Sequence, residues 1–247
     1  MPAPFTKINR SPVVSRMLGM EWRAVDWPTV SADGYGDAQV PLTGLARVGD
    51  QSRPFVILVE DATDQPTEPG DPLIRSMFGI EEAIVASKVF NCFRFDISEI
   101  PDETLLDDIG KKLPAVLVYT SKGSLVGKVT GDNSKNAKRL LPKIKKAFDD
   151  HFDARFTKWV DQYLDQLVEI EKAEDDVANA EKFVKSLNER IERKGEPTAK
   201  LAKDLAEREA KVEEAKKAFE AAKATLATML EVPSKEAKNA NTASATR

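Results

Sequence analysis

At 247 residues, 41% hydrophobic and 32% charged with a formal net charge of −4, the chain has material for one modest core and must leave much of its helix in solvent. One cysteine, Cys92, and one histidine, His151, exclude an intrachain disulfide and argue against a Cys/His zinc site or catalytic pair. The opening MPAPFTKINRSPVVSRMLGMEW lacks the apolar core of a signal peptide, and no run approaches the ~20 apolar residues of a spanning helix, so a cytoplasmic chain without a membrane segment is expected.

Residues 1–52 read as an irregular N-terminal extension, punctuated by Pro12, Pro28 and Pro41 and by five glycines at 19, 34, 36, 44 and 49. Trp22 and Trp27 stand out in it. Tryptophans of that size either pin the extension onto the domain or form an aromatic patch for a partner.

Residues 53–148 have the rhythm of an α/β sheet. Phe55–Val59 is a short apolar run bounded by Pro54 and Glu60-Asp61, as for a strand covered on both faces. A proline-bearing acidic loop, Ala62–Asp71, leads to a helix with Asp71 as N-cap and Pro72 at its first position. That helix carries Leu73, Ile74, Met77, Phe78, Ile84 and Val85, with Gly79 as an interruption. Phe90–Ile97 is a second strand, with Phe93, Phe95 and Ile97 on one face and Cys92 as a small buried filler. A short helix over 103–111 precedes the strand Leu113–Tyr119, the turn Ser121–Ser124 and a strand Leu125–Val129, the last two strands reading as a hairpin.

This order of strand, helix, strand, helix, proline-led strand, turn, strand and helix resembles the thioredoxin family. The resemblance places Pro114 at the family's cis-proline before the third core strand, making Leu113–Pro114 the candidate cis bond. No C-x-x-C stands in the loop after the first strand. Thiol chemistry needs a thiolate, and the acidic loop would raise a neighbouring thiol's pKa. The resemblance therefore implies a redox-inactive member that binds a protein partner, with no enzymatic activity and no cofactor.

After Pro142 no proline or glycine occurs before Gly195, which predicts one unbroken helix running out of the domain. Gly195-Glu196-Pro197 then stops and restarts the chain for a second helix over Thr198–Glu231. Tyr163, Leu167, Ile170, Ala173, Val177, Ala180, Val184, Leu187 and Ile191 form an apolar seam on the first helix. Leu201, Leu205, Val212, Ala215, Phe219, Ala222, Leu226 and Met229 form one on the second, interrupted by Arg208. Facing residues of a hairpin have numbers with a constant sum; Ile191 with Leu201, Val177 with Ala215 and Ala173 with Phe219 all add to 392. Small residues oppose large ones, which favours an intramolecular antiparallel coiled-coil hairpin over a parallel dimer. The arm is assigned to 149–231 and a disordered polar tail to 232–247.

Lys135, Lys138, Arg139, Lys143, Lys145 and Lys146 make the strongest local charge asymmetry. Without interleaved aromatics to stack bases the cluster disfavours nucleic acid, and it alternates with apolar residues as a solvated helix face; Lys138, Arg139 and Lys143 remain candidate partner contacts. Asp61, Asp64, Glu68 and Asp71 do not follow an EF-hand spacing, and no phosphate-binding or nucleophile-elbow motif occurs, so no metal is expected. His151 reads as a junction residue. The sequence thus points to a scaffold with a thioredoxin-like domain and a coiled-coil arm, the alternatives being a one-cysteine thiol enzyme acting through Cys92 and nucleic-acid binding through the Lys135–Lys146 face.

Overall fold

The computed structural model describes residues 10–19, 23–24, 53–61, 80–100, 103–131, 136–195 and 198–236. The lead-in expected to be irregular contains a helix, Pro12–Met17 (α1), and a two-residue strand, Arg23–Ala24 (β1). Both are held from outside themselves, β1 by parallel pairing with Phe93 and Arg94 and α1 by carboxylates of the arm. Trp22 and Trp27 lie outside the described residues.

Phe55–Glu60 (β2) is buried along its whole length, as an apolar run between two covering layers requires. Glu81–Ser87 (α2), Asn91–Asp96 (β3), Glu103–Ile109 (α3), Ala115–Tyr119 (β4), Leu125–Thr130 (β5) and Ala137–His151 (α4) follow. They build a mixed sheet in the order β1-β3-β2-β4-β5, β3 running parallel to β1 and β2 while β4 is antiparallel to β2 and β5. The two-residue period puts Phe55, Ile57, Val59, Phe93, Phe95, Ala115, Leu117 and Tyr119 into one core cluster with Ile100, Leu105 and Ile109. On α2 the expected Ile84 and Val85 are fully buried, whereas Asp71–Gly79 lies outside the described residues. β3 stops one residue short of Ile97 because the Asp96 carboxylate accepts the Ser98 N–H at 2.8 Å and opens a 3-10 turn over Ile97–Glu99. The Leu113–Pro114 bond is cis.

The unbroken helix predicted beyond Pro142 is broken. α4 ends at His151, Phe152 is extended with φ −90° and ψ 150°, and a new helix, Phe156–Lys194 (α5), begins after a short bend. Two sets of contacts override the local helix preference. Phe152, Phe156 and Trp159 gather round the Phe148 ring at 4.7, 5.5 and 5.0 Å between centroids. The chain returning from the arm supplies the rest: Phe152 bridges Ser234, and the Asp153 N–H donates to the Pro233 carbonyl at 2.9 Å. The Asp149 carboxylate accepts the Phe156 N–H at 2.7 Å and so caps the new helix. Val232–Glu236, expected to be disordered, is therefore a fastened strap, held also by Lys235 donating to the Asp149 carbonyl and by a 2.5 Å Lys122–Glu236 ion pair.

Gly195, with φ +81°, ends α5, and Thr198 caps the second arm helix, Ala199–Thr228 (α6), by accepting the Leu201 N–H at 3.4 Å. The chain divides into two compact units, one holding the sheet with α4, the start of α5 through Val160 and the strap, the other holding Arg10–Met17 with Asp161–Glu231. The expected boundary at 148/149 thus falls at 160/161, and α1 joins the arm unit. Gln166 donates to the Ala222 carbonyl at 3.0 Å, Glu181 pairs with Lys216 at 3.0 Å and Arg208 lies over Phe183. Numbers rising on one helix while falling on the other make α5 and α6 antiparallel. Every predicted seam residue of α5 is buried or half-buried, and on α6 Arg208 alone among the seam positions is exposed.

Strap docking should weaken in acid. The hydrogen bond from Lys122, with a smaller contribution from the charge of His151, holds the Glu236 carboxyl below its ordinary 4.5. A depressed carboxyl stabilises the docked strap above its unfolded pKa, and this is lost as pH falls through the folded value. Protection of the Asp153 amide against hydrogen exchange should drop modestly between about pH 5 and pH 3, the pair being exposed, and the step should vanish in Lys122→Ala. Equal protection at both pH values in the unaltered chain would contradict the assignment.

Candidate interaction surfaces

Lys138 and Arg139 stand in the first turn of α4, which has no acidic residue there, and the Asn136 side chain caps it by accepting the Lys138 N–H at 3.1 Å. Cations at a helix N-terminus oppose the backbone dipole, so local helix stability does not explain them. The Lys143 stem lies over Gly127, where a Cβ would meet its carbons at 3.0–3.3 Å. Lys145 and Lys146 are engaged with Thr157 at 3.1 Å and Asp150 at 2.6 Å. The structure thus carries Lys138, Arg139 and Lys143 on one helix, whereas Lys135 lies outside the described residues. The aromatic side chain of α4, Phe148, is buried in the core and presents no face for stacking a base.

On the arm, the seam changes character along its length. Tyr163, Leu167 and Ile170 are at most 2% exposed, and burial pushes the Tyr163 hydroxyl up to about 12. From Ala173 to Ile191 the seam is only half-buried. There the position opposite Val184 in the 392 register is Arg208, which turns out of the seam, its guanidinium 5.0 Å from the centre of the Phe183 ring. Phe183 is itself 55% exposed. The same stretch of the arm carries a groove of about 860 Å³, lined by Val184, Val212, five glutamates and two lysines. The Glu181 carboxylate beside Lys216 raises that ammonium's pKa.

Sequence reasoning missed a third set of residues. Ser11 donates its N–H to Glu171 at 2.7 Å and its hydroxyl to Glu174 at 2.6 Å, while Arg10 pairs with Glu171 at 3.3 Å. The Arg10-Ser11-Pro12 triplet carries a legible signal, a serine N-cap followed by proline at the first helical position. Nothing in the sequence distinguishes Glu171 and Glu174 from the other glutamates of the arm.

Cys92 is 2% exposed, its sulfur 3.7 Å from the Ser87 carbonyl and 4.0 Å from that of Phe90. The His151 ring lies edge-on to Phe152 with its Nδ1 3.4 Å from the Ser121 hydroxyl, at the place where the strap docks. Of the acidic loop only Asp61 is described. Among the described residues no three His, Cys, Asp or Glu side chains group as metal ligands, and no helix is long and apolar enough to cross a membrane.

No protein-family model, curated protein or solved structure matches the chain.

Arg208→Leu should let an apolar side chain occupy the layer opposite Val184. Half-burying a leucine outweighs the lost contact with Phe183, so the arm should gain up to about 1 kcal/mol. Urea denaturation followed by helical circular dichroism measures this. A destabilised arm would mean that position 208 does not face the seam opposite Val184.

Proposed function

We propose that the chain is a non-catalytic interaction protein, a redox-inactive thioredoxin-like domain whose helical-hairpin arm docks a protein partner or spaces the components of an assembly. The observation that carries the reading is the outer half of the arm. Its helices bury a single seam against each other and leave in solvent a groove and more than half of the Phe183 side chain. The order and directions of the strands support the thioredoxin-like part. Burial of Cys92 supports the absence of thiol chemistry, since an attacking sulfur has to reach its substrate as a thiolate. The exposed Lys138 and Arg139, with the half-buried Lys143, offer a second contact for an acidic partner.

Removing paired layers tests this. Deleting 178–184 from α5 and 208–214 from α6 takes one heptad from each helix, preserves the phase of both seams and removes Phe183 and Arg208. The sheet domain should keep its unfolding transition, while co-purification of partners from the native cell falls by about tenfold or more, as expected when a contact of ~1.4 kcal/mol or more is lost. Undiminished recovery of the same partners would place their binding outside the arm.

A further inference from the structure

The six residues of α1 are too few to hold a helix on their own, and Val13 and Val14 are poor helix formers. What holds α1 is a set of contacts to one face of α5. Glu171 receives the Ser11 N–H and Arg10, Glu174 receives the Ser11 hydroxyl, and the Arg10 side chain is only 5% exposed. Glu171 and Glu174 follow Leu167 and Ile170 at helical spacing, so all four share that face. One turn beyond Ser11, Val14 is fully buried. On α5 the seam is half-buried from Ala173 to Ile191, whereas Leu167 and Ile170, one turn before Glu171 and Glu174, are fully buried.

What α1 presents to this face is a cation, a hydroxyl-bearing N-cap, then an apolar residue one turn on. We propose that the face is a docking site for a short helix of a partner protein with that pattern, and that α1 is the chain's own plug, displaced when the partner binds. The proposal rests on the interaction reading above and names the chemistry of the partner. A longer amphipathic helix carrying the same anchors begins with more intrinsic helicity than α1 and makes the same contacts, which is what displacement of a covalently tethered plug requires.

The probe is a fluorescent peptide containing residues 9–19 of this chain followed by three turns of alanine- and lysine-rich helix, titrated by anisotropy against the full-length protein. Ser11→Asp in the protein sets a carboxylate against Glu174 and should drive its own α1 off, tightening peptide binding by about tenfold or more. Adding Glu171→Gln and Glu174→Gln should reverse that gain, because charge-assisted bonds become neutral ones. Equal affinity of the Ser11→Asp and unaltered chains, or indifference to the glutamine changes, would overturn the proposal. A concentration-dependent dimer of the unaltered chain that Ser11→Asp abolishes would overturn it in favour of α1 exchange between copies. Should Ser11→Asp fail to fold, hydrogen exchange decides on the unaltered chain: the Ser15 amide, which donates to the Ser11 carbonyl at 2.8 Å, should lose protection as peptide saturates, and retained protection would overturn the proposal. Loss of peptide binding leaves the interaction reading standing, since the arm-shortened chain keeps Glu171, Glu174 and α1.

Discussion

The backbone bridge between Phe152 and Ser234 sets the terms for everything between them. It returns the chain to the point it left, so the intervening residues have to go out and come back. With uninterrupted helix formers on both sides of Gly195, an antiparallel pair is the arrangement that buries their apolar seams. The entropic cost of closing so long a loop rises only slowly with its length, and it is met by the cluster of Phe148, Phe152, Phe156 and Trp159 together with the Asp153–Pro233 hydrogen bond. The bend at Phe152, which no glycine or proline marks, follows from the same closure.

Within the arm, one unfavourable choice shapes the surface. A leucine at 208 would suit the seam; arginine cannot leave its charge there without a partner, so it lies over Phe183. Nearer the start of α5, Glu171 and Glu174 hold α1, and Tyr163, Leu167 and Ile170 are buried. One helix thus carries both a face filled by a short segment of the chain and one wall of an open groove.

What the sequence disclosed and what it hid divide along physical lines. The seam residues Ile170, Ala173, Val177, Leu187, Ile191, Leu201, Leu205, Val212, Ala215 and Phe219 were legible because helical period depends only on spacing, and the interruption at Arg208 was legible for the same reason. The alternation in Phe93 and Phe95 and the all-apolar run of β2 likewise announced their burial. The bend at Phe152, the strap at Val232–Glu236 and the seating of α1 were not legible, because each depends on groups far apart in sequence. Lys122 and Glu236, or Ser11 and Glu174, are ordinary surface residues until the fold brings them together. Lys138 and Arg139 were visible as charge, but only their place in the first turn of α4 shows that they work against the helix they stand on.

The central claim, that α5 and α6 close on each other within one chain in the 392 register, is tested most directly by a cysteine pair. In a Cys92→Ser background, Val177→Cys and Ala215→Cys place two thiols in facing half-buried layers. A short bis-maleimide spacer, added in dilute solution, should link them within a single chain, with monomeric mass by light scattering under denaturing conditions. Covalent dimers as the main product, or two thiols that no spacer joins, would contradict the account.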